Sequence, residues 1–139
     1  MRWSRLRGLL EEIRAESLQL VIHCSAFRRE DAAPVGRYWV ELEGETIIEI
    51  PTNFRELMKS RTPNSDATVV TNIFRWWVQL PREEIRSATH PDDRWGLVDV
   101  RRVSDKRFGK RSLLELDGTK LSYPAQEVLR ARLCKKTEI

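Results

Sequence analysis

Six of the eleven residues at positions 101–111 are cationic: Arg101, Arg102, Lys106, Arg107, Lys110 and Arg111, opposed only by Asp105. This window carries +5, whereas the other 19 basic and 20 acidic residues sum to −1. Cations gathered in this way suit one kind of chemistry, the capture of an anion. Arginine presents a planar fork of donors that matches phosphate or carboxylate, and lysine presents a point charge. Gly109 reads as the left-handed stop after one helix, so a second helix can begin at once. Lys106, Lys110 and Arg111 would then converge on an anion near the free amides of that second helix, with Arg102 and Arg107 beside them. A purely structural account competes with this. Arg101 can pair with Asp105 four residues on, and cations in a last helical turn favour the carbonyl end of the helix dipole. At helical spacing the charges do not make one stripe.

Other reactive side chains are fewer. His23 and Cys24 are neighbours on a strand, so they project to opposite faces and cannot act as base and nucleophile. Cys24 falls with Leu20 and Ile22 as a small core residue. His23 lies on the other face, where Trp39 and Glu41 of the next strand come within reach. These three are the candidates for a sheet-lined small-molecule pocket, and Glu41, Glu43 and Glu49 for acid–base chemistry there. With His90 the one other histidine, metal ligands are scarce and no zinc spacing occurs. There is no glycine-rich phosphate loop, nucleophile elbow or metalloprotease helix. No catalytic residue and no cofactor is assigned. In Trp76-Trp77 the two rings point about 100° apart on a helix. Trp77 belongs to the apolar stripe, which leaves Trp76 as a candidate interface anchor. The acidic pairs Glu11-Glu12, Glu83-Glu84 and Asp92-Asp93 sit at helical turns, where negative charge near an N-terminus is stabilising.

The elements that must hold these residues follow from periodicity. Trp3, Leu6, Leu10 and Ile13 have helical spacing and predict an amphipathic helix over 4–15. From Ser17 the period becomes two: Leu18, Leu20, Ile22, Cys24 and Ala26 face one way, and Val21, His23, Ser25 and Phe27 the other. Residues 28–36 read as a loop. Two short strands, 38–42 and 46–50, flank Glu43-Gly44-Glu45, where Gly44 supplies the positive φ of a tight hairpin. Loops of two or three residues set different registers, so the register stays open. Pro51 ends the third strand. The expected product is a three-stranded antiparallel meander with the first helix across one face.

The remainder is helical. A short helix over 54–59 is followed by a loop at 61–64. Ser65 or Asp66 is the expected cap of a helix whose stripe is Val69, Val70, Ile73, Phe74, Trp77 and Leu80. Pro81 breaks it, and residues 82–88 form a short helical turn. Asp92 or Asp93 caps a helix running to about Phe108. Residues 110–116 start again, Gly118 stops them, and Ser122 caps a last helix through Lys135 that buries Ala125, Val128, Leu129 and Leu133. This is an α+β pattern: an N-terminal helix and three-stranded meander (1–51), then a helical half (52–139) packed on it as one domain.

Composition sets the outer bounds. The chain has 139 residues, 40% hydrophobic and 33% charged, enough for one core under a charged exterior. Two cysteines at opposite ends make no disulfide framework. The start shows no signal-peptide core and no apolar run spans a bilayer, so a cytoplasmic protein without a membrane partner is expected. An isoelectric point of about 9.4 permits an acidic partner.

The opening Met1-Arg2-Trp3-Ser4-Arg5-Leu6 resembles a group of small uncharacterised bacterial proteins that begin Met-(Arg or Lys)-Trp-Ser-(Lys or Arg)-Leu. Asp105-Lys106-Arg107-Phe108-Gly109-Lys110-Arg111-Ser112-Leu113 is similar to that group's Asp-Arg-Arg-x-Gly-Lys-Arg-x-Leu segment. Leu80 to Ala88 and Pro124 to Leu133 also resemble its later segments, while Asp92-Asp93 stands where the group prefers apolar residues. Related proteins occur on mobile gene cassettes, such as those of integrons. The resemblance implies a single α+β domain in the bacterial cytoplasm and no particular activity. The expectation is therefore a non-enzymatic binding module that meets nucleic acid or an acidic protein through the basic helix–glycine–helix junction at Lys106 to Arg111, with Arg102 among its contacts. The alternatives are a homodimer or larger homo-oligomer joined by a sheet edge or Trp76, and a small-molecule-binding protein or minor enzyme using His23, Trp39 and Glu41.

Overall fold

The computed structural model describes residues 2–25, 36–60 and 64–136. Its elements run α1 (Trp3–Glu12), β1 (Leu20–Ser25), β2 (Arg37–Leu42), β3 (Glu45–Ile50), α2 (Phe54–Ser60) and α3 (Asp66–Gln79). Then come α4 (Leu97–Ser104), α5 (Lys110–Leu114) and α6 (Tyr123–Lys136), with 3-10 turns at Arg82–Glu84 and Gly118–Lys120. The architecture is α+β: a helix, an antiparallel sheet of order β1-β2-β3, then helices. The strand positions expected for Ala26 and Phe27, the loop at 28–36 except Gly36, and the loop at 61–64 except Asn64 lie outside the described residues.

Alternation decides the two faces of the sheet. Leu20, Ile22, Tyr38, Val40, Leu42, Ile48 and Ile50 are buried, while Val21, His23, Trp39 and Glu41 lie on the opposite, partly exposed face. The hairpin loop has two residues: Glu41 pairs with Thr46 and Leu42 with Glu45. Glu43 (φ 52°) and Gly44 (φ 87°) both take positive φ, the backbone that matches the twist of a tight hairpin. A register shift between Val40 and Glu41 follows, so Val40 faces Ile48 and Ile47 is passed over. Leu6 and Leu10 of α1 are buried, and Trp3 meets Tyr38 edge-on at 5.2 Å. Phe74 of α3 meets the same ring at 5.7 Å, and Thr71 lies 2.6 Å from the Tyr38 hydroxyl. Both helices thus close the inner sheet face, and one apolar cluster continues from Leu6 through Trp77 to Val128.

The helical half departs from expectation at its punctuation. Neither Ser65 nor Asp66 caps α3 with its side chain; the Asn64 carboxamide oxygen accepts from the Asp66 amide at 2.9 Å. The core stripe of α3 takes in Ala67 and Thr71, while Val69 and Leu80 stay half-buried. The Asp93 carboxylate accepts from the amides of Trp95, Leu97 and Val98, which fixes the start of α4 later than position 93 suggests. The helix also ends early, at Ser104 and not near Phe108. Asp105 is extended (φ −79°, ψ 127°) because the chain there pairs with the segment after α1. Ala15 N–H donates to Ser104 O at 2.8 Å, and Lys106 N–H donates to Ile13 O at 2.7 Å. Gly109 is not left-handed: with φ −76° and ψ 174° it is extended and precedes α5. Gly96 (φ 75°), which opens α4, is left-handed instead. Ser122 stands before α6 as expected, but its hydroxyl donates back to Gly96 O.

Candidate functional site

The basic window is divided between the interior and the surface. α4 is apolar on most sides, with Leu97, Val98, Val100 and Val103 buried, so Arg101 and Arg102 are carried inward with it. Arg101, 2% exposed, donates from Nη2 to Leu10 O at 3.1 Å, near the end of α1. It does not bond Asp105, as i,i+4 spacing had suggested, because Asp105 lies past the end of the helix. Arg102 donates to Ile85 O at 2.9 Å, to Ala88 O, and to the Asp99 carboxylate at 3.2 Å. Arg107 grips the fully buried Asp105 carboxylate (2.7–3.2 Å) and donates to Leu80 O at 2.8 Å, the carbonyl just past α3. Arg132 of α6, unmarked in the sequence, donates to Val103 O, Asp105 O and Phe108 O at 2.9–3.0 Å.

These arginines share a task. Carbonyls at the ends of helices and in the following turns lack intrahelical partners and carry partial negative charge. A guanidinium can satisfy two or three of them at once. Burial pushes Arg101 down to about 10, with Arg14 and Arg107 adding repulsion and Asp105 opposing it. Burial likewise lowers Arg102 and Arg132, against the Asp99 and Asp105 carboxylates respectively. All remain cationic at neutral pH.

The surface share consists of Lys106, Lys110 and Arg111, all exposed. The helix–glycine–helix reading placed all three at one anion; the cleft beside Gly109 takes in Arg111 but neither lysine. Among the described residues, that cleft, of about 360 Å³, is lined by Arg111 with Arg82, Arg86, Arg107 and one acid, Glu83, over a floor of Ile85 and Phe108. Lys106 and Lys110 are not among its walls, and Arg102 is withdrawn beneath them. The cleft is braced from both sides: Arg86 donates to Ser112 Oγ at 3.0 Å and to Glu115 at 2.9 Å, tying the 3-10 turn region to α5. Sequence reasoning missed Arg82 and Arg86. Their signal was the i,i+4 spacing of two arginines just after Pro81, which means little until α5 is known to lie opposite.

The other candidates are placed as follows. His23 sits opposite Trp39 in register and stacks on it at 4.8 Å, with Nε2 2.6 Å from the Glu41 carboxylate. The Arg37 guanidinium lies 4.4 Å from the Trp39 ring and bonds Glu49 at 3.0 Å. The three expected pocket residues are therefore together, as a paired row on the outer sheet face and not as walls of the clefts described in this section. Trp76 is half-buried against His90 (4.9 Å) and Trp77 (6.0 Å). Cys24 is held by burial and by Tyr38, with its thiol pushed up to about 11. A larger groove of about 780 Å³ runs between the β2–β3 hairpin and α6, beside the exposed ring of Tyr123. Among the described residues no group of three or more His, Cys, Asp or Glu is arranged to hold a metal. No helix among them is long and apolar enough to cross a membrane. Comparison with family models, curated proteins and solved structures finds no match for this chain.

Proposed function

We propose that this protein is a non-enzymatic binding module that receives the phosphate backbone of a nucleic acid in the arginine cleft between the 3-10 turn at Arg82–Glu84 and α5. The observation that carries this reading is the lining itself: among the described residues, four arginines and one glutamate surround a 360 Å³ concavity. Arg107 is already oriented by Asp105 and Arg86 by Glu115, so both are held in place before a ligand arrives. Arg82 and Arg111 are exposed and present their guanidinium groups to an arriving ligand. Guanidinium forks suit phosphate oxygens, and contacts of this kind position a nucleic acid without reading its sequence. Lys106 and Lys110 add to the long-range field that steers a polyanion.

The test is titration of labelled single- and double-stranded DNA and RNA at several salt concentrations. The Arg82→Ala/Arg111→Ala pair should weaken binding and lower the slope of log K against log salt by about 1 per lost contact. A Lys106→Ala/Lys110→Ala pair should change it less. Equal affinity and slope for wild type and the arginine pair would sink the cleft, and binding to an acidic protein alone would sink the nucleic acid.

A further inference from the structure

A second concentration of positive charge lies around Arg101, the neighbour of Arg102 on α4. A small pocket where α1 meets β1 and α4 is lined by Arg7, Glu11, Arg14, Arg101 and the apolar side chains of Leu10 and Leu20. Arg101 is 2% exposed and spends Nη2 on Leu10 O. Arg14 is half-buried and spends Nη1 on Leu18 O. In both residues Nε is buried with no hydrogen-bond partner. Two donors that have left water in this way are costly to leave unmet.

The charges around the pocket do not balance. Arg7 and Glu11 pair with one another at its mouth, 3.2 Å apart, and cancel. The carboxylate nearest in charge to Arg101 is Asp105, which is already engaged by the Arg107 fork and by the Trp77 indole at 2.9 Å. Among the described residues, Arg14 and Arg101 are therefore two cations facing one space with no carboxylate paired to them. The mutual repulsion depresses Arg101, secondary to burial. Apolar walls lower the local dielectric and strengthen attraction to any anion that enters.

We propose that this pocket binds one monatomic anion of the chloride class between Arg14 and Arg101, as part of the folded state. Size selects the class. The space is about 10 Å³, room for about one water-sized sphere. Phosphate, sulfate and carboxylates are much larger than this space, whereas a monatomic anion is the smallest anion that could enter beneath the exposed Arg7–Glu11 pair. The site is independent of the arginine cleft, sharing no residue with it.

The experiment compares sodium chloride with sodium gluconate at matched ionic strength, using the full chain, and follows chloride-35 NMR line width alongside thermal unfolding. The expected result is chloride line broadening that bromide competes away, and a midpoint rising by about 3–6 °C per ten-fold chloride above its Kd. Arg14→Gln keeps a donor for Leu18 O but removes the charge, and should abolish both effects. If Arg14→Gln fails to fold, broadening and bromide competition in the wild type still decide, with Arg111→Ala, exposed and outside the pocket, as a folded control that retains them. Equal midpoints in the two salts without broadening would mean a water fills the pocket, and would overturn the proposal. Broadening that survives in a folded Arg14→Gln variant would place the ion elsewhere and overturn it equally.

Discussion

The indole N–H of Trp77 donates to the Asp105 carboxylate at 2.9 Å, and neither residue is open to solvent. The same carboxylate accepts from the Arg107 guanidinium and from the Arg107 amide. One acid therefore joins α3, the turn after α4 and the wall of the arginine cleft. It is also the residue whose extended backbone ends α4.

Asp105→Ala should destabilise the protein by about 2–4 kcal/mol, since it strands the half-buried Arg107 cation and a buried indole donor. Trp77→Phe should cost about 1–3 kcal/mol, because the carboxylate keeps its arginine. Denaturant titration of the double variant should show a loss smaller than the sum by at least about 0.5 kcal/mol. Strict additivity would mean that the two side chains do not interact.

The interior and surface arginines should separate cleanly under alanine substitution. Arg132→Ala removes the donors to three carbonyls and should cost about 3 kcal/mol of stability. Arg111→Ala, at an exposed position, should stay within about 0.5 kcal/mol while weakening polyanion binding. Circular dichroism melts and the salt titration read the two effects independently.

The two glycines near the basic window should behave oppositely. A Cβ at Gly96 would sit 2.4 Å from Ser122 Cβ and would require a left-handed backbone. Gly96→Ala should therefore cost about 2–4 kcal/mol. At Gly109 a Cβ meets nothing within 4 Å and φ is ordinary. Gly109→Ala should melt within a few degrees of wild type.

Alkaline pH should act through Cys24. Its folded thiol ionises near 11 against an ordinary value of 9.0, chiefly because burial disfavours the thiolate. Between those values the unfolded chain has lost the proton that the folded chain keeps, so stability is full below pH 9 and falls as pH rises towards 11. Cys24→Ala should flatten that part of the unfolding profile. Iodoacetamide at pH 9 should modify the exposed Cys134 well before Cys24, as peptide mass spectrometry would record.

Much of the frame could be read from residue order. Alternation at Leu20, Ile22 and Cys24, and at Tyr38, Val40 and Leu42, assigns the sheet faces because side chains on a strand have a period of two. Leu6, Leu10, Ile73, Phe74 and Trp77 mark the covering helices for the same kind of reason, with a period near 3.6. Gly44 announces the hairpin, because few residues adopt its backbone. His23, Trp39 and Glu41 are brought together by strand pairing and nothing more, so their meeting was foreseeable. Local geometry suffices for all of these.

The fate of the basic run was of another kind. Whether an arginine faces solvent or caps a distant helix depends on which backbone carbonyls come within reach, and a carbonyl is the same at every position in the chain. Leu10 O lies 91 residues from the arginine that holds it, and neither residue type encodes the match. Nor does Arg111 specify a cleft until Arg82 and Arg86 are folded against it. Packing sorted these cations, because charge is long-ranged and indifferent to sequence while burial and hydrogen-bond geometry are satisfied only in three dimensions.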